Sequence, residues 1–441
     1  MKLKISSIKD FLTNKESVSS RIANGTFWSL TGVALGKAIV LVASIACARI
    51  LGDVKFGELG IVRSTLGMLI TLGAAGLGTT ASKYIADYRA KEDNDGILRI
   101  YNLTIYFSLS IAFVVTLLVF LFAGNIAVAN FNAPHLKDDI QIGAILLLFS
   151  IITATQNGIL AGFERFRPIA LNTLYASIVE GVGIVAGAYF GGTEGAILGY
   201  GISFVFWTAI NQLSINKTFS AFHIKKSRTK LGYDDYQVIW KFSIPSALNS
   251  IMVAPAFWAI KSILVRFNGF GDLGVYEAAD QWKIIILFVP NAIANILMPI
   301  FANVNGHNNQ DTYKRVQNIS IILNGSIALL LVLFIYFTKD VIMSLYGAGF
   351  ENPKLLFVLC SSTVFVAMAQ VMTLSLISKS KAWTSFAFNF IWAVILIATS
   401  YYFLKQGYGA ISLAWANLIS YILHFLFQFV YFYSRRNNIP Q

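Results

Sequence analysis

Four basic side chains lie inside long apolar runs of this sequence, where a charge is expensive: Lys37, Arg63, Lys261 and Lys283. On insertion scales each costs about 2.5 to 3.5 kcal/mol at the centre of a membrane helix, so the set costs on the order of 10 kcal/mol if all four lie deep. Such a cost must be offset by carboxylates, by water in a cavity or by an anionic ligand. The four residues are therefore the first candidates for a binding site, and the chemistry that they offer is recognition of an anion.

Two acidic side chains, Glu180 and Asp280, also lie within apolar runs. Four bases less two carboxylates leave an excess of two positive charges, which favours an anionic ligand. Asp280 precedes Lys283 by three residues on one helical face, so an internal ion pair is an alternative role for Lys283. In the same way, pairing with Glu180 is an alternative role for Lys37.

The four bases differ in their predicted depth. Lys37 lies about eleven residues, roughly 16 Å, from either end of its run, and an ammonium group reaches the interface poorly from there. Arg63 and Lys261 lie only four or five residues, about 6 to 8 Å, from the outer ends of their runs. Either of these two could therefore extend its charged group to the outer membrane surface instead of facing a cavity.

Few other residues could carry chemistry. His424 lies near the middle of an apolar run and could couple transport to protons, although a neutral, hydrogen-bonded histidine is the more frequent arrangement. Cys47 and Cys360 lie in or beside apolar runs, which is typical of small buried hydrophobes. The sequence contains no GxxxxGK[ST], HExxH or CxxC pattern. We therefore expect no enzyme, no catalytic residue, no metal ligand and no cofactor.

The composition predicts the elements that position these residues. The chain has 441 residues, of which 56% are hydrophobic and 12% charged, against roughly 25% charged in soluble proteins, and its mean hydropathy is +0.66. A membrane span needs about 20 apolar residues. Twelve runs meet this requirement, with uncertain ends: 26–48, 59–82, 101–123, 141–163, 169–190, 195–215, 241–265, 276–301, 317–337, 355–378, 384–404 and 408–431. The fold class is therefore an all-α membrane protein with no room for a soluble catalytic domain.

The basic residues predict the orientation of these spans. The N-terminal segment, the even-numbered connections and the C-terminus hold 23 lysines and arginines, whereas the odd-numbered connections hold seven. Because cytoplasmic connections are enriched in these residues, both termini are predicted to be cytoplasmic. The net charge of +13 is thus mainly a topology signal, and no nucleic-acid partner is expected. The predicted segments are a basic N-terminus (1–21), an N-terminal lobe (22–216), a basic linker (217–240), a C-terminal lobe (241–433) and a tail (434–441).

A repeated pattern indicates that the two lobes are related. Arg49-Ile-Leu-Gly52 and Phe56-Gly-Glu-Leu-Gly60 follow the first span, and Arg266-Phe-Asn-Gly269 and Phe270-Gly-Asp-Leu-Gly274 follow the seventh, about 214 residues later. An offset of six spans gives both halves the same orientation, so the repeat is parallel and can enclose a central cavity. The four intramembrane bases lie in spans one, two, seven and eight, which are equivalent pairs in the two halves. Chance similarity between glycine-rich loops is the alternative.

Four short stretches carry a resemblance to a known family: Ala48-Arg-Ile-Leu-Gly52 with Phe56-Gly57, Gly162-Phe-Glu-Arg165-Phe-Arg, Phe242-Ser-Ile-Pro245 and Leu345-Tyr-Gly347-Ala-Gly-Phe350. They resemble stretches of bacterial polysaccharide flippases of the Wzx type, in the multidrug, oligosaccharidyl-lipid and polysaccharide exporter superfamily. The sequence departs from the family at Glu58-Leu59, where an aromatic residue is expected. The resemblance extends over the whole chain but rests on short hydrophobic motifs.

The resemblance implies a multi-pass protein of the bacterial inner membrane that moves an undecaprenyl-diphosphate-linked oligosaccharide to the periplasmic leaflet by alternating access. Membrane lipids would hold the prenyl tail, a proton or Na⁺ could couple to transport, and a polysaccharide polymerase could be a partner. We expect Lys37 and Lys283 to contact the anion and Arg63 and Lys261 to line the outer mouth. The further polar lining or coupling candidates are Glu180, Asp280, Asn249, Asn291, Asn295 and His424, with the three asparagines as sugar-facing donors.

Two other functions compete with this expectation. An ion-coupled multidrug extruder of the same fold would be expected to place carboxylates where a cationic drug and a coupling ion bind, yet span one offers Lys37 and no acid. A structural membrane subunit of a polysaccharide synthase would not need the intramembrane bases at all.

Overall fold

A computed structural model describes residues 18–74, 76–224, 231–239, 243, 251–306, 310–379 and 381–434. The helices are α1 (Val18–Ala74), α2 (Leu77–Ala90), α3 (Asn94–Phe131), α4 (Lys137–Gly162), α5 (Phe166–Ala221), α6 (Tyr233–Val238), α7 (Val253–Asn268), α8 (Phe270–Ile286), α9 (Phe288–Gly306), α10 (Gln310–Ser344), α11 (Pro353–Ser378), α12 (Ala382–Lys405) and α13 (Ile411–Ser434). Within these ranges there is no β-strand, and eight helices are long and apolar enough to cross a membrane. The predicted all-α membrane fold is confirmed.

Helix α5 contains two predicted spans, and α1 contains the first predicted span and the larger part of the second, which ends in α2. Helices α1 and α5 have 57 and 56 residues, which would extend to about 85 Å if straight, nearly three times the thickness of the hydrocarbon core. Each is broken at one glycine, Gly52 (φ 75°, ψ 173°) in α1 and Gly192 (φ 59°, ψ −138°) in α5. Only glycine adopts such positive φ values without strain. The remaining spans are α3, α4, α7, the pair α8 and α9, and α10 to α13.

The two halves of α5 fold back on each other through small residues. A Cβ atom added to Gly187 would lie 2.0 Å from the carbonyl oxygen of Gly195, and one added to Gly199 would lie 2.0 Å from that of Gly183. These four glycines therefore bring the two backbones into direct contact. Close packing through small residues is the usual way in which membrane helices associate.

The turn after span one recurs after span seven, as the sequence repeat predicts. Gly269, between α7 and α8, has φ 83° and ψ −175°, which differ from the values at Gly52 (75° and 173°) by 8° and 12°. The same turn therefore joins the two leading helices in the N-terminal lobe (α1 to α5) and in the C-terminal lobe (α7 to α13). A second similarity in the sequence relates Gly195-Ala-Ile197 to Gly409-Ala-Ile411, also 214 residues apart. The backbone differs there, since Gly409 has φ +66° whereas Gly195 is helical.

The predicted span ends need one correction that matters for the site. The second half of α1 begins directly after Gly52, not at residue 59, so Arg63 lies about 16 Å from the turn along the helix. Lys261 likewise lies eight residues, about 12 Å, before Gly269. Both bases are therefore deeper than the apolar runs indicate. Charged residues at the helix start, such as Asp53 and Lys55, interrupt the hydrophobic run without ending the helix.

Part of the basic linker is folded against the N-terminal lobe. Helix α5 extends to Ala221, five residues into the segment predicted as linker. Ile224 and Ile239 are buried with residues of the N-terminal lobe, and Arg99 Nε lies 3.6 Å from Asp235 Oδ1 of α6. The linker is thus anchored at this end of the N-terminal lobe.

Candidate functional site

A cavity of about 450 Å³ lies between the two lobes, lined by α1, α5, α7 and α8. Its charged lining residues are Lys37, Arg63, Glu180, Lys261, Glu277 and Asp280, and its neutral polar lining residues include Ser44, Ser64, Thr173, Ser177, Tyr200 and Gln281. Three of the four predicted bases therefore line one cavity at the lobe interface. Lys283 does not line it but lies behind Asp280.

The wall formed by the N-terminal lobe holds an ion pair between α1 and α5. Arg63 Nη2 donates to Glu180 Oε1 at 3.1 Å, and the guanidinium carbon lies 4.6 Å from the centre of the Tyr200 ring. The two helices approach closely because Gly36 has no side chain: a Cβ atom there would lie 2.7 Å from Ser177 Oγ. The carboxylate and the ring together fix the arginine on this wall.

Lys37 is half-buried on the same wall. Within the part of the chain that the structure describes, it has neither an ion pair nor a hydrogen bond. The alternative that Lys37 pairs with Glu180 is wrong, since Arg63 from the second half of α1 occupies that carboxylate. Lys37 therefore presents an uncompensated ammonium group to the cavity.

The wall formed by the C-terminal lobe holds a four-membered charge network. Lys261 Nζ lies 2.7 Å from Glu277 Oε1 and 3.6 Å from Asp280 Oδ2, and Lys283 Nζ lies 2.9 Å from Asp280 Oδ1. The three α8 residues share one face because they follow at intervals of three. The two lysine side chains are only 9% and 8% exposed, so each depends on its carboxylate partner.

Two further predictions can be compared with this network. The alternative role of Lys283, an ion pair with Asp280, is present. The family resemblance implied that Lys283 contacts the anion, but Lys283 does not line the cavity. The alternative that Arg63 and Lys261 extend to the outer membrane surface is wrong, because both turn inward to carboxylates. The extra depth of both helices explains this outcome, and it also moves these two bases from the expected outer mouth into the cavity wall.

Sequence reasoning missed Glu277, the second residue of the predicted eighth span. With it, four bases face three carboxylates, so the excess is one positive charge and not two. A signal was available, since Glu277 follows Arg63 by 214 residues and is its equivalent in the internal repeat. Repeat-equivalent positions thus carry opposite charges on the two walls.

The remaining predicted residues lie elsewhere. Asn249 is outside the described residues, as is the side chain of Asn295, and Asn291 is an exposed residue of α9 that does not line the cavity. His424 is 5% exposed inside the C-terminal lobe, where the Gln428 amide donates to its Nε2 at 2.5 Å. This matches the hydrogen-bonded alternative for the histidine.

The two lobes meet at the end of the cavity where Gly52 and Gly269 lie, which is the predicted outer end. Arg49 Nε donates to the carbonyl oxygen of Leu345 at 2.6 Å, and the rings of Phe56 and Phe350 meet edge to face with centres 5.8 Å apart. The two sequence motifs that contain these residues therefore pack on each other. A Cβ atom on Gly57 would lie only 1.9 Å from the carbonyl oxygen of Phe270, so the backbones are also in contact.

The arrangement suits binding rather than catalysis. It offers one free ammonium, one arginine with unused donors and several hydroxyl and amide groups, all of which recognise phosphates and sugars. Among the described residues, no group of three or more His, Cys, Asp or Glu could hold a metal ion.

Solved structures and curated proteins resemble this chain. A multidrug resistance MATE family transporter of the MOP superfamily, solved in an inward-facing conformation, superposes with a TM-score of 0.79 at 15% identity, covering 93% of this chain and 100% of that chain. The EPS I polysaccharide export inner membrane protein EpsE of Ralstonia nicotianae is 24% identical over 320 residues, 70% of this chain and 71% of the relative. The succinoglycan biosynthesis transport protein ExoT of Rhizobium meliloti is 23% identical over 263 residues, 58% of this chain and 49% of the relative.

These findings agree with the family resemblance seen in the sequence. The fold is that of the MATE-like transporters, and the relatives are membrane transport proteins of polysaccharide export. The model of the polysaccharide biosynthesis protein family matches residues 22–305, well over half of the chain. With its two lobes, its charged central cavity and this match, the chain is a multi-pass membrane transport protein that belongs to the polysaccharide biosynthesis protein family.

Proposed function

We propose that this protein is a flippase that moves an undecaprenyl-diphosphate-linked oligosaccharide repeat unit from the cytoplasmic to the periplasmic leaflet by alternating access, for surface polysaccharide biosynthesis. The observation that carries the proposal is the ammonium group of Lys37, which lines a polar cavity between the lobes and has no partner among the described residues. A diphosphate joined to a hydrophilic glycan needs a wet path with positive charge. Its prenyl tail can remain in the surrounding lipid.

Lys37 and Arg63 would bind the diphosphate. The hydrogen bond from Arg63 to Glu180 uses Nη2, and a guanidinium has five donors. Arg63 can therefore keep this partner while its other donors face the ligand. Lys261 and Lys283 would instead hold the carboxylates of the opposite wall in place. This revises the roles expected from the family resemblance.

The glycan would meet the neutral polar groups. Ser44, Ser177 and Gln281 line the cavity beside the charges, and hydroxyl and amide groups can donate to and accept from sugars. Asn249 and Asn295 remain proposed sugar donors, on spans seven and eight, towards the predicted cytoplasmic side of the charges. Asn291, which does not line the cavity, is no longer proposed for this role.

The contacts of Arg49, Phe56 and Gly57 with the other lobe would seal the outer end while cargo enters from the cytoplasmic side. Separation of these contacts would then open the cavity to the periplasm. The proposal places both termini in the cytoplasm, keeps the lobe boundaries 22–216 and 241–433, and leaves proton or Na⁺ coupling and handover to a polymerase as optional.

An ion-coupled multidrug extruder is the alternative, because the fold is shared with MATE transporters. A cationic drug needs an available carboxylate, whereas the three carboxylates that line this cavity are paired with Arg63, Lys261 and Lys283. The charge arrangement therefore favours an anionic cargo.

Deletion of the gene tests the proposal against this alternative. We expect the lipid-linked repeat unit to be synthesised but to stay in the cytoplasmic leaflet, so that surface polysaccharide is lost while sensitivity to cationic dyes is unchanged. The measurement is the leaflet distribution of the labelled intermediate, together with dye growth assays. An unchanged polysaccharide profile with strong sensitisation to dyes would replace the flippase by the extruder.

A further inference from the structure

The charges within the spans can be counted completely from the sequence. Within the predicted spans, and apart from Lys241 at the linker boundary, the bases are Lys37, Arg63, Lys261 and Lys283, and the acids are Glu180, Glu277 and Asp280. Each of these three carboxylates has a basic partner in the structure. Glu180 pairs with Arg63, and Glu277 pairs with Lys261. Asp280 pairs with both lysines of the C-terminal wall, Lys261 and Lys283.

The two walls of the cavity contribute differently to the net charge of the site. The C-terminal wall has two lysines and two carboxylates and is neutral. The N-terminal wall has Lys37 and Arg63 against Glu180 and carries one positive charge. The empty site thus has a charge of +1, and the residue responsible for the excess is Lys37, the base that lacks a partner among the described residues.

A diphosphate bonded to a prenyl chain at one end and to a sugar at the other keeps one ionised oxygen on each phosphorus atom. It therefore carries a charge of −2 at neutral pH. When it occupies the site, the charge of the loaded cavity is +1 − 2, which is −1. The empty and the loaded site are equal in magnitude and opposite in sign.

We propose that the membrane potential drives export, because both half-cycles move charge in the favourable direction. In an alternating-access cavity filled with water, the electric field falls across the closed end, so reorientation carries the net charge of the site through the field. The loaded site moves −1 outward and the empty site moves +1 inward. A potential that is negative inside favours both movements. The proposal rests on the proposed function, since the cargo supplies the −2.

The expected size of the effect is large. One charge that crosses 100 mV changes an equilibrium ratio by about 50-fold. The cycle moves two charges, so the same potential biases the distribution of cargo between the leaflets by about 2,500-fold.

Reconstitution of the full-length protein in liposomes tests this directly. The probe is undecaprenyl diphosphate with one fluorescently tagged sugar, and its leaflet position is read by an impermeant quencher. A potassium gradient with valinomycin sets the potential, and a pH gradient is applied separately at zero potential. We expect the probe to move away from the negative side at a rate that rises with the potential. The pH gradient should not change this rate.

Three outcomes are distinguishable. Potential-driven movement that is insensitive to the pH gradient supports the proposal. Protein-dependent movement that follows the pH gradient, or that is unaffected by the potential, overturns it while leaving the flippase function intact. No protein-dependent movement under any gradient overturns the proposed function itself, and this proposal falls with it.

Changing the charges sharpens the test. With a tagged sugar on undecaprenyl monophosphate, which carries −1, the loaded site is neutral, so exchange of cargo between leaflets should lose its voltage dependence. In Lys37→Gln the loaded site carries −2, so exchange of the diphosphate probe should depend on voltage twice as steeply. The matched control is the double variant Lys283→Met and Asp280→Asn, which removes one charge of each sign. In this variant the exchange of the diphosphate probe should depend on voltage as steeply as in the natural protein. If the exchange of the diphosphate and monophosphate probes depended equally on voltage in the natural protein, the charge count would be wrong. This comparison needs no variant.

Discussion

The two walls of the central cavity both use the two leading spans of their lobe, to which the N-terminal wall adds α5, but only the N-terminal wall carries a net charge. The C-terminal wall pairs two lysines with two carboxylates and is neutral. The N-terminal wall pairs Arg63 with Glu180, and Lys37 has no partner there among the residues that the structure describes. At repeat-equivalent positions, Arg63 stands on one wall and Glu277 on the other. The internal repeat therefore fixes where polar groups enter the cavity, and the individual residues decide which wall binds and which wall supports.

Breaking the self-neutralised wall should have the largest effect. Asp280→Ala leaves Lys283 without the carboxylate at 2.9 Å and removes one partner of Lys261. Loss of one member of a buried ion pair costs about 3 to 5 kcal/mol of stability, so we expect a lower melting temperature and lower abundance in membranes. Asp340→Ala is the matched control, because Asp340 pairs with Lys339 while 69% exposed. If Asp280→Ala were as stable as this control, the C-terminal wall would not be a supporting network.

Removing the charge of Lys37 from the N-terminal wall should weaken cargo binding, and so reduce transport, without affecting folding. Lys37→Ala leaves no described carboxylate without its partner, so we expect normal abundance. Loss of a charged hydrogen bond to the diphosphate, about 1.5 to 3 kcal/mol, should lower the apparent affinity for cargo by about 10- to 150-fold, measured by export of labelled intermediate.

Lys37→Arg should retain part of the activity, because the charge persists while its geometry differs. Lys137→Ala is the control, since it removes an equal charge from an exposed position outside the cavity. Low abundance of Lys37→Ala, restored together with export by an added Glu180→Ala, would refute the anion-binding role.

Separating the walls at the outer end tests whether they act as one site. In Gly57→Ala the new methyl group would meet the carbonyl oxygen of Phe270 at 1.9 Å, so the lobes must shift, at about 1 to 3 kcal/mol. We expect the outer end to open more often. The measurement is labelling of Ser64→Cys, which lines the cavity, by an impermeant thiol reagent added from outside.

Gly67→Ala is the control for this variant, because a Cβ atom at Gly67 of the same helix meets nothing within 4 Å. Equal labelling in the two backgrounds would show that the contact of Gly57 does not close the cavity.

The smallest expected effect concerns the ring that holds Arg63. Tyr200→Leu removes the aromatic face 4.6 Å from the guanidinium, an interaction of about 0.5 to 2 kcal/mol. We expect cargo affinity to fall by about 2- to 30-fold at normal abundance, whereas Tyr200→Phe, which keeps the face, should fall less. If Tyr200→Phe lost as much as Tyr200→Leu, the hydroxyl and not the ring would position the arginine.

Much of this architecture followed from local properties of the chain. The length of each apolar run predicts a span because about 20 apolar residues cross a bilayer, and the repeated Gly52 and Gly269 predict equivalent turns because both occur in the same pattern. The four bases stood out because a charge inside an apolar run is costly wherever it points. The sequence by itself therefore determined the all-α membrane fold, the related halves and the residues that had to be explained.

Only the tertiary structure decided how those charges are used. The distance between Arg63 on α1 and Glu180 on α5 depends on where α1 turns and on how closely Gly36 lets α5 approach. The same dependence brings Glu277 to Lys261. Because electrostatic energy varies with the distance between groups on different helices, spacing along one chain can show that a charge needs a partner but cannot show which partner it has. Lys37 has no partner among the described residues for that reason, because the packing of the helices places Arg63 beside Glu180.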